Sequence, residues 1–175
     1  MIKALAFIYK KKGLSDGDFK NYYEKNHAPL ATSLLTFEGY ERNFVNANIN
    51  PLFAYLGSIS IFQYQSIESL NDIEEKMSSD AGDILREDEL KFMDVSKNYF
   101  VLTQSDQLTE QRFQKKIFYP CNDEDDLGSL NSYKGLNKIS DNIILESTEM
   151  FGIAEYGITQ KAEFDVLKKL TQEHP

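Results

Sequence analysis

The stretch "FKNYYEKNHAPL", from Phe19 to Leu30, holds one of only two histidines in the chain, preceded by two tyrosines and followed closely by a proline. His27 is the residue whose type best suits proton transfer. Its ordinary pKa near 6.5 lets it take a proton at neutral pH and give it back. Tyr23, one helical turn earlier, supplies a phenol that can bond to His27 or to a substrate carbonyl. Such a base can remove an acidic proton while a phenol donor steadies the negative charge that develops. The same residues support a second reading. Phe19, Tyr23 and His27 are spaced by four, and Leu30 continues the stripe, so they share one helical face. Pro29 removes a backbone donor and crowds the preceding turn, so the helix is expected to kink near His27. An imidazole N–H would then satisfy a carbonyl freed near Lys25, making His27 a structural donor.

Polar residues that strand alternation could aim at a common cavity are Tyr9, Arg42, Asn46, Tyr55 and Gln63, the candidate substrate-binding set. Other clusters are weaker. "CNDEDD" (121–126) lacks the spacing and glycine of a calcium loop and suits the positive start of a helix. Glu24 and His27 are three apart, but no further His or Cys joins them to complete a metal site. His174 is penultimate. No glycine-rich phosphate loop, serine elbow or cysteine–histidine pair is present. Neither a metal nor a cofactor is expected.

A net charge of −9 argues against a nucleic-acid footprint and against adhesion to an anionic membrane. No apolar run reaches the length that spans a bilayer. At the N-terminus, "MIKALAFIYKKK", the charges follow the apolar run, the reverse of a signal peptide. The single cysteine, Cys121, cannot form an internal disulfide. The cytoplasm is the expected compartment.

"IKALAFIYK" reads as a strand apolar on both faces, with Leu5, Phe7 and Tyr9 on one and Ala4, Ala6 and Ile8 on the other. Ser15, with Asp18 three residues on, signals the start of a helix running from about Asp16 toward Leu35. "YERNFVNA" and "YLGSISIFQY" are strands, "SIESLNDIEEKM" and "AGDILREDELKFMD" helices, and "NYFVLTQ" a strand. The order β-α-β-β-α-β is that of a ferredoxin-like module, complete by residue 106. Residues 107–175 repeat the order in abbreviated form. "RFQKKIFYP", "NIILESTE" and "FGIAEYGIT" read as strands, and "DEDDLGSLNSYKGLNKI" and "KAEFDVLKKLTQ" as helices. The expected fold is α+β, with tandem ferredoxin-like modules (1–106 and 107–175) forming an α+β barrel. Facing sheets would bury the faces that the helices leave bare. The second half lacks a final strand, so a partner subunit covering that open edge, in a homodimer, is an alternative closure.

Three blocks resemble the EthD-domain family. "FKNYYEKNHAPLATSLLTFEGYERNFVNA" is similar to its first-helix signature of Phe, Tyr, His-Ala-Pro and a Gly-Tyr leading into strand two. "YLGSISIFQYQSIESL" resembles its third strand and the start of its second helix, and "SSDAGDILREDELKFMD" its aspartate-rich segment before the last strand. Together they cover roughly Ile2 to Gln104, while residues beyond 106 carry no such motif. The resemblance implies a dimeric α+β barrel. Similar barrels include polyketide cyclases, decarboxylases of aromatic polyketides, and small monooxygenases that need neither metal nor flavin; one family member is linked to ethyl tert-butyl ether degradation. It also implies His27 as a catalytic residue at its His-Ala-Pro position, with a small aromatic or polyketide-like ligand in the cavity. The alternative is a non-catalytic module that binds a small molecule in the same barrel.

Overall fold

The computed structural model describes residues 2–45, 55–105, 115–121, 136–139 and 152–158. The chain divides into two compact units, Met1–Leu102 and Thr103–Pro175. In the first, strands β1 (Ile2–Tyr9), β2 (Gly39–Phe44), β3 (Leu56–Tyr64) and the start of β4 (Tyr99–Ser105, of which Tyr99–Leu102 belong to this unit) lie in the order β2-β3-β1-β4. β3 pairs antiparallel with both β1 and β2. Between the strands run α1 (Asp16–Tyr22), a π-helical turn (Tyr23–His27), α2 (Ala28–Leu34), α3 (Ile67–Met77) and α4 (Asp80–Phe92). The expected element order of this half is therefore present, as an α+β fold with helices against an antiparallel sheet. No described helix is long and apolar enough to cross a membrane.

β1 is buried on both faces, as its two apolar sides require: Ala4, Ala6 and Ile8 pack in the helix-facing core, and Leu5 is fully buried on the opposite side. Ile61 and Val101 are buried as well. Ser15 caps α1 by accepting from the Asp18 amide at 3.0 Å, as its position predicts. Ser66 and Ser79 cap α3 and α4 in the same way.

Proline 29 acts differently from the expected kink. The helix widens by one residue per turn over Tyr23–His27, and the Ala28 amide reaches back to the Tyr23 carbonyl. Pro29, which has no amide to donate, then sits in the first turn of α2, where helices tolerate it. Phe19, Tyr23 and His27 stay on one buried face.

Two glycines permit close approaches. A Cβ at Gly57 would lie 2.5 Å from the Phe19 ring, at the point where the β1–β3 register slips between Ile8 and Tyr9. That bulge turns position 57 toward the helices, away from the face of Ile59 and Ile61 where alternation alone puts it. A Cβ at Gly82 would come within 2.0 Å of the Met77 carbonyl, so the turn joining α3 to α4 needs glycine there.

In the second unit β5 (Lys115–Cys121) pairs antiparallel with β7 (Gly152–Ile158), and β6 (Leu136–Ile139) pairs with β7. Thr103–Ser105 pair with Ile139–Asn137. β5 and β7 fall on expected strands. The helix expected over 123–139 is corrected at its end, because Leu136–Ile139 is a strand. Gly135, a helix breaker, precedes it, and β7 supplies the backbone partners. "NIILESTE" and "KAEFDVLKKLTQ" lie outside the described residues.

Replacing Gly82 with alanine should lower stability to urea by roughly 2 kcal/mol, because overpacking against backbone outweighs alanine's ~1 kcal/mol higher helix propensity. Equal or higher stability of Gly82→Ala would show that the α3–α4 turn relaxes freely.

Candidate functional site

His27 is 5% exposed, and its Nδ1 lies 3.0 Å from Asp88 Oδ2. Asp88, on α4, is equally buried and accepts a second bond at Oδ1 from the Tyr22 hydroxyl at 2.7 Å. The Lys91 ammonium stands 3.3 Å from the same oxygen. Burial alone would raise the Asp88 carboxyl, but the donors Tyr22, His27 and Lys91 together hold it below its ordinary range. Asp88 is thus an ionised acceptor, so His27 Nδ1 carries the hydrogen and donates it. Burial also pushes the imidazole below its ordinary value, against the pull of the carboxylate. His27 is neutral at pH 7, with an unprotonated Nε2 that makes no hydrogen bond among the described residues. The ring is wedged against Phe92 (centroids 5.1 Å) and edge-on to Tyr23 (5.3 Å, 70°).

Asp88 was not among the residues singled out in the sequence, although a signal existed. Leu85, Asp88 and Phe92 are at helical spacing and all buried, so a carboxylate occupies a core position on an amphipathic stripe. Such a carboxylate needs a partner. The bond also corrects one reading of His27, whose ring nitrogen serves a carboxylate across the unit and not a backbone carbonyl near Lys25.

Tyr23 is almost completely buried, with its hydroxyl 2.9 Å from Ser60 Oγ and accepting from Tyr40 at 2.9 Å. Ser60 is linked to Ser58 at 3.0 Å. The Tyr23 hydroxyl therefore serves this chain and does not bond to His27. Burial pushes the phenols of Tyr23 and Tyr40 up, keeping them protonated, and Tyr22 rises to about 12 through burial and its bond to Asp88. Arg42 lies over the Tyr40 ring at 4.7 Å and grips Glu24 through two nitrogens, at 3.0 and 3.1 Å. That fork ties β2 to the π turn.

Of the described members of the candidate substrate-binding set, only Arg42 stands beside this cluster. Tyr9 and Gln63 alternate onto the sheet face away from the helices: Tyr9 follows Leu5 and Phe7, and Gln63 faces Lys3 in the register. Tyr55 precedes β3 in a turn, is half exposed, and has the Lys97 ammonium 5.8 Å from its ring. Asn46 lies outside the described residues. No group of three His, Cys, Asp or Glu side chains gathers to hold a metal among the described residues.

Because His27 titrates at a lower pH when folded than when unfolded, the unfolded chain binds the extra proton first. Its contribution is present above the ordinary pKa of 6.5 and is lost as pH falls below it. Glu89 has the opposite sign, since burial raises its carboxyl. The clean readout is therefore a difference between proteins. Urea stability of the wild type should fall more steeply between pH 6.5 and 5 than that of His27→Gln, and parallel curves would contradict a buried neutral His27. Asp88→Ala, which strands both the imidazole N–H and the Tyr22 hydroxyl, should cost roughly 3 kcal/mol at pH 7. A loss under 1 kcal/mol would mean that the pair contributes little to the fold.

Comparison with known proteins bears on residues inside the first unit. The model of the EthD domain matches residues 11–96. A solved structure, the crystal structure of an ethyl tert-butyl ether D (EthD) family protein from Bacillus halodurans C-125, is 18% identical with a TM-score of 0.42. The match covers 59% of this chain and 98% of that one. No curated protein matches the chain. His27, Asp88, Tyr22, Tyr23 and Arg42 all fall within residues 11–96, the stretch that matches the EthD-domain model.

Proposed function

We propose that this protein is a cofactor-independent enzyme of cyclase, decarboxylase or oxygenase type, acting in the cytoplasm on a small aromatic or polyketide-like molecule. The observation that carries the reading is the buried His27–Asp88 pair. A carboxylate that fixes the Nδ1–H tautomer leaves Nε2 as a base and stabilises the imidazolium that forms once it takes a proton. In such a reaction Nε2 removes a proton from the carbon between two carbonyls. The resulting enolate needs a donor. Tyr40 donates to the Tyr23 oxygen, and in this reaction the Tyr23 O–H turns from Ser60 to an enolate oxygen, with Ser60 donating in its place. Asp88 acts through His27 as a positioning residue. The reading includes the barrel expected from the sequence, of tandem ferredoxin-like modules over 1–106 and 107–175 or of two chains in a homodimer. Arg42 is its candidate ligand contact near the pair, and Tyr9, Asn46, Tyr55 and Gln63 remain candidates elsewhere in that barrel.

A second reading, a non-catalytic binding or accessory module, is favoured by how little of His27 reaches solvent, 5%. In that case the His27–Asp88 bond is a strut between the π turn and α4.

Deuterium exchange from heavy water into aryl 1,3-diketones, followed by NMR, separates the two. The enzyme reading predicts exchange above the buffer rate, reduced about 100-fold in His27→Gln and about tenfold or more in Asp88→Asn. Exchange no faster than buffer, or unchanged in His27→Gln, would overturn it, and saturable binding without exchange would establish the second reading.

A further inference from the structure

A cleft of about 210 Å³ opens between β3, α3 and the segment joining α2 to β2, away from His27. Tyr64 and Ile73 line it, with Thr36, Glu38, Asp72 and Lys76 around them. Tyr64 is 5% exposed, and its ring packs beside Phe37 with centroids 6.1 Å apart. Its hydroxyl makes no hydrogen bond among the described residues, whereas the hydroxyls of Tyr22, Tyr23 and Tyr40 are all bonded. A buried phenol without a partner is costly, so it marks the place of a group that protein atoms do not supply. Burial also pushes this phenol up to about 12, keeping its hydrogen in place as a donor.

The charges around the cleft narrow the occupant. Glu38 and Asp72 bring two carboxylates and Lys76 one ammonium, and none of the three has an ion-pair partner among the described residues. A plain anion meets two carboxylates, and a plain cation meets the lysine. A molecule carrying both signs meets neither conflict. The space corresponds to about seven waters, enough for one small organic molecule.

We propose that this cleft is a binding site, distinct from the His27–Asp88 pair, for a small zwitterion of the amino-acid class. Its carboxylate accepts from the Tyr64 hydroxyl and lies toward Lys76, and its ammonium lies toward Glu38 and Asp72.

The test is titration of the full chain with each of the twenty free L-amino acids, read by ligand-observed NMR and calorimetry. At least one should bind saturably. Its affinity should fall about tenfold or more in Tyr64→Phe, because a hydrogen bond to a charged group is lost, and likewise in Lys76→Gln. His27→Gln should bind it unchanged, which keeps this site separate from the proposed reaction. Thermal unfolding of each variant checks that it is folded. No binding by any of the twenty would overturn the proposal, as would equal affinity in folded Tyr64→Phe and Lys76→Gln, with the cleft then holding water alone.

Discussion

Taking an imidazole and a carboxylate out of water together is the constraint on which the first unit is organised. Neither group could stay buried alone, because an unpartnered polar group in a core costs more than the packing around it returns. Paired, they tie the π turn at the end of the first helix to α4, across 61 residues of sequence. The bond needs His27 and Asp88 at one depth. The aromatic wall of Phe19, Tyr23 and Phe92 sets that depth on the helix side. On the α4 side, Gly82 lets the helix turn back tightly after Met77. The widened turn lets the chain reach Pro29 without ending its helix.

A second polar system lies on the sheet side of the same turn. Ser58 and Ser60 put hydroxyls into an otherwise apolar face of β3, and Tyr23 and Tyr40 complete their bonds. Glu24 and Arg42 close the open end, with the guanidinium over the Tyr40 ring. One helical turn thus carries two networks. His27 looks to α4, and Tyr23 looks to β3 and β2. A proton-transfer reading gains from this arrangement, since a fixed base and a chain of neutral phenols stand side by side in a low-dielectric setting. A structural reading gains from it equally, because both networks bind helices to sheet.

The first unit was largely legible in the sequence. Hydrophobic period, the Ser15 cap and turn residues placed the four strands and the main helices of Ile2–Ser105, including the buried stripe of Phe19, Tyr23 and His27. Three things were not legible. The π turn hides because Pro29 signals an interruption but not its form. The bulge at Gly57 hides because alternation assumes an unbroken register. The partner of His27 hides because its contact is long in sequence, although Asp88 on the apolar stripe of α4 was the available clue. Alternation grouped Arg42 with Tyr40 and Phe44 correctly, yet it could not tell which sheet face Tyr9 and Gln63 would share with a cavity. In the second half the strand at Leu136–Ile139 ran against a helical reading that passed over Gly135. A short strand held by its neighbours leaves little local signal.

The state of the His27 ring is the most direct thing to measure. Nitrogen NMR of the imidazole at pH 7 should show Nδ1 protonated and Nε2 bare, persisting well below pH 6.5, and Asp88→Asn should disturb that tautomer. An imidazolium protonated at both nitrogens at pH 7, or a ring carrying its hydrogen on Nε2, would contradict a neutral base held by Asp88.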